Sequence, residues 1–135
     1  MKYGLAALVA VVGLGLSSAA IADGAQDMGA GAMNRGGPYD FKDGQAIYTN
    51  VCQGCHMPDA KGAVGAGMYP ALAKNENLET AAYPISIVLK GQKAMPFFAL
   101  QLNDQQIADV VNYVRTHFGN KYRDKVKPED VKVLR

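Results

Sequence analysis

The chain has 135 residues, with 14 basic against 12 acidic side chains and a formal net charge of +2. That length suits one small domain with a modest apolar core. So even a balance excludes the concentrated basic surface that nucleic-acid binding requires, while leaving room for a local charged patch that docks a protein.

The N-terminus opens with Met1-Lys2, continues as an apolar run from Leu5 to Leu16, and reaches a small-x-small site at Ala20-Ile21-Ala22 before Asp23. This pattern predicts a secretory signal peptide over residues 1–22. The apolar run is shorter than the ~20 residues that span a bilayer, so no membrane insertion is expected after cleavage. Residues 23–38 are small and flexible with no apolar periodicity, and predict a flexible N-terminal leader. Met28 and Met33 lie there, where nothing fixes a ligand geometry.

A first helix is predicted from about Asp40 to Val51, with Phe41, Gly44, Ile47, Tyr48 and Val51 on one face. Directly after it comes Cys52-Gln53-Gly54-Cys55-His56. This C-x-x-C-H is the attachment signature of a c-type haem. Two thiols at that spacing add across the two vinyl groups of haem, and the adjacent histidine coordinates the iron. Cys52 and Cys55 are the two cysteines of the chain, so the motif accounts for both thiols. A structural zinc site would need a second Cys/His cluster, and the one remaining histidine is the distant His117. A thioredoxin-like pair would sit in a βαβ pattern that the flanking sequence lacks, and a plain disulfide would close a strained loop. Signal peptide and motif support each other, because haem is attached to C-x-x-C-H on the far side of the bacterial inner membrane.

A long loop is predicted from Met57 to about Lys74. Its glycines, Gly62, Gly65 and Gly67, are not followed by Gly-Lys-Ser/Thr, so they form no phosphate cradle. They are expected to let the backbone pass close to a flat ligand. A short helix is predicted from Tyr83 to Lys90, with Pro84 in its first turn and Gly91 as its C-terminal cap. A second loop, Gln92 to Leu102, holds Met95-Pro96-Phe97-Phe98. The clearest helix follows, capped by Asn103 with Gln106 and ended by Gly119. Ile107, Val110, Val111, Val114 and Phe118 form its apolar stripe. Residues 120–135 form a charged C-terminal tail, expected to pack loosely over a domain spanning 39–119.

From about Phe41 to Phe118 these features resemble the class I single-haem cytochrome c family. The resemblance implies an all-α fold, with helices wrapped around one covalently attached haem c. It implies a proline-x-leucine segment at Tyr69-Pro70-Ala71-Leu72, with the Pro70 carbonyl accepting a hydrogen bond from the second nitrogen of His56 and Leu72 packing on the haem. Gly44 and Tyr48 of the first helix would meet Val110 and Tyr113 of the last. The family's second axial ligand is a methionine in the loop before the last helix, and Met95 stands at that place. Met57 follows the proximal histidine too closely to reach the opposite face, and Met68 neighbours the Pro70 turn. Met68 and His117 remain the next candidates. The expected haem-binding set is therefore Cys52, Cys55, His56 and Met95, with His56 and Met95 as iron ligands.

A methionine–histidine pair closes the iron to substrate and favours its ferrous form. No catalytic residue is expected, and the chain looks like the small cytochromes that serve periplasmic dehydrogenases. The implied role is a periplasmic electron carrier, with a dehydrogenase as donor and an oxidase or another cytochrome as acceptor. The alternative is a haem-based gas sensor or a small peroxidase with an open sixth position. Lys61, Lys90 and Lys93 fall in places that would rim an exposed haem edge and steer an acidic partner.

Overall fold

The computed structural model describes residues 39–65 and 67–135. The predicted signal peptide and leader, with Met28 and Met33, lie outside the described residues. Asp43 caps the first helix, its carboxylate accepting from the Ala46 N–H at 2.7 Å. Helix α1 (Gly44–Ile47) runs into a π-helical turn (Tyr48–Cys52) and then α2 (Gln53–His56). The predicted helix thus starts later than Asp40 and continues through the C-x-x-C-H motif instead of stopping before it. The π turn is a local widening of the kind found at functional sites. It ends on Cys52, and Cys55 and His56 fall one turn further on.

The predicted loop contains a small antiparallel hairpin, β1 (Ala63–Val64) against β2 (Met68–Tyr69). A 3₁₀ turn (Glu76–Leu78) precedes α3 (Ala82–Lys90), whose C-cap is Gly91 at φ +71°. Helix α4 (Asp104–Thr116) opens on the expected capping box. The Asn103 side chain accepts from the Gln106 N–H at 2.8 Å, and Gln106 Oε1 accepts from the Asn103 N–H at 3.0 Å. The helix ends at Thr116, before Gly119, and the chain turns away through Phe118 at φ +55° and Gly119 at φ +83°.

Helix α4 uses three faces, and this organises the molecule. Asp109 and Tyr113 meet α1. A Cβ built on Gly44 would lie 2.1 Å from the Asp109 carbonyl oxygen and 2.8 Å from Tyr113 Cβ, so the crossing is as close as a glycine permits. Tyr48 extends that contact, with its ring 5.7 Å from Tyr113 and 4.8 Å from Phe118. The expected crossing therefore forms, with the Asp109 backbone rather than Val110 against Gly44. Val110, Val111 and Val114 instead face a cavity. Asn112 and Arg115 face the C-terminal segment, bonding Val126 and Asp124.

That segment departs most from expectation. It is not a loose tail but carries α5 (Pro128–Leu134), packed on α3 and α4 with Val126 and Val131 in the core. Asn112 pairs with Val126 through both its amide nitrogen and its carbonyl, each at 2.8 Å. The Arg115 guanidinium is fully buried, bonding the carbonyls of Leu78 and Glu79 and a bidentate Asp124 carboxylate at 2.8 Å. Arg135 returns the chain end to the loop before α4, through Ala99, Leu102 and Asp104.

Candidate haem-binding site

A cavity of about 390 Å³ lies between α2, the 68–72 segment, α3, the 92–98 loop and α4. Its walls are largely apolar, from Leu72, Leu78, Val88, Phe98 and the α4 valines. Cys52, Cys55, His56 and Met95 all line it. The four predicted site residues, drawn from two segments far apart in sequence, therefore share one space.

His56 is 7% exposed, and its Nδ1 lies 2.9 Å from the Pro70 carbonyl oxygen. A carbonyl only accepts, so Nδ1 carries the proton and donates. In a neutral imidazole Nε2 then keeps its lone pair, the form a metal requires. The hydrogen bond also fixes the ring's orientation.

The Pro70 carbonyl is held in place by backbone packing. Gly62, at φ +68°, passes so near that a Cβ there would lie 2.0 Å from the Tyr69 oxygen and 2.9 Å from the Pro70 oxygen. Its amide donates to the His56 carbonyl at 3.1 Å. Of the three loop glycines, one has a role that the protein backbone itself sets. Gly62 is required by the neighbouring backbone, and nothing lies within 4 Å of a Cβ on Gly65 or Gly67. At the end of α2, Met57 adopts φ 67° and its carbonyl accepts from the buried Tyr48 hydroxyl at 2.7 Å. Burial first, then the charges of Cys52, Tyr113 and Asp59, push that hydroxyl up to about 12.

Cys52 and Cys55 are not joined in a disulfide. Burial, with Cys55 adding to it, pushes the Cys52 thiol up to about 12. Among the described residues no group of three or more His, Cys, Asp or Glu side chains is placed to hold a metal ion. The donor set fits a flat, mostly apolar group joined through two thiols and one imidazole nitrogen better than it fits a structural zinc.

Met95 is half-buried, on a loop closed by a reciprocal pair of backbone bonds with Gln92 at 2.9 and 3.0 Å. Gly91 makes that closure possible, since a Cβ there would sit 2.6 Å from the Met95 oxygen. Met68 also lines the cavity but is 75% exposed. Met57 and His117 do not line it. The His117 ring stacks on Tyr113 at 4.1 Å, with Nδ1 donating to the Tyr113 carbonyl. Of the three lysines expected at the rim, Lys93 lines the cavity and Lys90 is exposed at the end of α3. Lys61 is paired with Asp59 at 3.0 Å, which reduces its value as a free charge. Sequence reasoning missed Asn120, a buried side chain that bonds Leu72 and Asn75 of the cavity wall. Its one sequence signal is the preceding Phe118-Gly119 turn.

Comparison with known proteins agrees with this geometry. The gluconate 2-dehydrogenase cytochrome c subunit of Pantoea cypripedii is 34% identical over 110 residues, covering 71% of this chain and 24% of that protein. The alcohol dehydrogenase (quinone) cytochrome c subunit of Gluconacetobacter polyoxogenes is 35% identical over 105 residues, covering 68% and 22%. The chain thus spans about a quarter of the length of these relatives. Cytochrome c6 of Parathermosynechococcus lividus is 35% identical over 80 residues, 56% of this chain and 87% of that protein. The family model described as cytochrome C oxidase, cbb3-type, subunit III matches residues 39–114, from the start of the described fold to the last cavity-lining valine of α4. The chain therefore belongs to that family, whose members are cytochrome c domains with covalently bound haem c.

Proposed function

We propose that the protein is a single-haem electron carrier of the periplasm, accepting electrons one at a time from a dehydrogenase and passing them toward the respiratory chain. Cys52 and Cys55 would hold the haem through thioether bonds, and His56 and Met95 would ligate its iron. When bound, the haem supplies the one-electron couple. The chain supplies an apolar cavity, the orientation of His56 and the Met95 thioether on the cavity wall. The observation that carries this reading is the His56 Nδ1–Pro70 hydrogen bond at the edge of a cavity that also takes in both thiols and Met95. The likeness to subunits named as cytochromes of gluconate and alcohol dehydrogenases supports the donor class.

Protein recovered from a periplasmic fraction is expected to have the intact mass of the processed chain plus one haem. Acidified acetone should leave that mass unchanged. Extraction of the haem, or a mass corresponding to two, would contradict the attachment reading. Ferric protein should also be reduced on mixing with a quinone-type alcohol dehydrogenase and its alcohol. No reduction would remove the proposed donor class.

A further inference from the structure

Three successive carbonyls leave the Pro70–Leu72 segment, and each is taken by a different side chain. Pro70 accepts from His56 Nδ1 at 2.9 Å, Ala71 from Asn75 Nδ2 at 2.7 Å, and Leu72 from Asn120 Nδ2 at 2.8 Å. Asn120 is 5% exposed and makes two further bonds. Its Oδ1 accepts from the Asn75 N–H at 2.9 Å, and Nδ2 also donates to the Val114 carbonyl at 2.7 Å. Its position follows from the two left-handed residues before it, Phe118 and Gly119, which turn the chain back toward the cavity wall. Neighbours in the same segment reinforce it. The Phe118 carbonyl accepts from the Lys74 N–H at 3.2 Å, and the Tyr122 hydroxyl donates to the Asn75 carbonyl at 3.3 Å. From the other side the Ala60 carbonyl accepts from the Leu72 and Ala73 amides at 2.7 and 2.9 Å.

We infer that Asn120 is a positioning residue for His56, acting through the Leu72–Asn75 turn to keep the Pro70 carbonyl on the imidazole. The inference rests on the reading of His56 as an iron ligand. Asn120 lies beyond the family match, which ends at residue 114. Removing the amide takes the partner from the half-buried Leu72 carbonyl and Asn75 N–H, and the turn relaxes to find others. The Pro70–His56 bond then weakens. A weaker acceptor lowers the imidazole's basicity and its support for ferric iron, so the reduction potential rises.

The test compares Asn120→Ala with Asn112→Ala in the haem-loaded protein. Asn112 offers a matched control. It too is an asparagine bridging backbone groups, and it holds the same C-terminal segment, but through Val126 and away from the 70–75 turn. Two quantities are read: the reduction potential, and the solvent exchange rate of the haem-shifted His56 Nδ1–H resonance. Asn120→Ala is expected to raise the potential and to speed the exchange by about tenfold or more, and Asn112→Ala to leave both near wild type while lowering thermal stability. If Asn120→Ala does not fold, Asn120→Ser keeps one hydroxyl and is expected to shift both quantities less, in the same direction. Unchanged values in the Asn120 variants, or equal shifts in Asn112→Ala, would overturn the brace. A wild type without a haem-shifted histidine Nδ1–H resonance would overturn the assignment of His56 and the brace with it.

Discussion

Arg115 shows how one buried charge decides local stability. Its guanidinium has no solvent, so its bonds to Leu78, Glu79 and Asp124 replace hydration entirely. Arg115→Met removes the donor to three backbone carbonyls, those of Leu78, Glu79 and Asp124, and is expected to destabilise the fold by about 2–4 kcal/mol in denaturant unfolding. A loss below the reach of that assay would show that the carbonyls find other donors. Asp124 is itself mostly exposed, and the hydrogen bond from Arg115 is the main cause of its lowered pKa. A carboxyl lowered in the folded state adds stability that is fully present above its ordinary value of about 4 and fades as pH falls through the lowered one. Asp124→Asn should therefore flatten part of the acid limb of the stability profile, and an unchanged limb would contradict this coupling. The sequence singled out Cys52, Cys55, His56 and Met95, and the structure brings these four to one cavity. The sequence did not reveal Arg115 or Asn120. Their partners are backbone carbonyls, which every residue carries and no pattern marks.

Among the elements, the crossing of α1 and α4 was legible at Gly44 and Tyr48 through the resemblance to class I cytochromes c, and the structure shows why a small residue stands at Gly44. Gly44→Ala places a methyl 2.1 Å from the Asp109 carbonyl oxygen, an atom that cannot rotate away. The variant is expected to lose at least about 2 kcal/mol of stability in thermal or denaturant unfolding. Wild-type stability would mean the helices separate freely. The capping box of α4 was equally legible, since Asn103 and Gln106 act across three positions of one chain. The π turn at Tyr48–Cys52 was not. It adds a residue to a helical turn and so shifts the helical phase beyond it, and the predicted helix stopped at Val51, before α2. The β1–β2 hairpin escaped for another reason: strands of two residues carry no alternation to detect.

For the molecule as a whole, the C-terminal segment is the main addition to the predicted fold. Its charged residues read as a tail, yet the buried ones are spaced so that Asn120, Val126 and Val131 each reach a different place on the core. Tyr122, Val126 and Val131 are too far apart to make a stripe, which is why composition misled. A chain ending at Gly119 would lose the partner of Arg115 and the brace on the 72–75 turn. Its thermal midpoint is expected to fall well below that of the full chain, and a loosely packed tail would leave the midpoint unchanged. The wrapping segment and the Met95 loop meet through Arg135 at Ala99 and Leu102, so both sides of the cavity are tied to one helix pair, α4 and α5.

Such a closed frame suits electron transfer only if the iron has no open position. Carbon monoxide binding to the ferrous protein tests this directly. The wild type is expected to bind negligible CO at neutral pH, and Met95→Ala to bind it readily with a lowered reduction potential. Tight CO binding by the wild type would make the site an open one and contradict the carrier reading. A Met95→Ala protein that still refuses CO would mean another side chain, Met68 first among those lining the cavity, closes the iron instead.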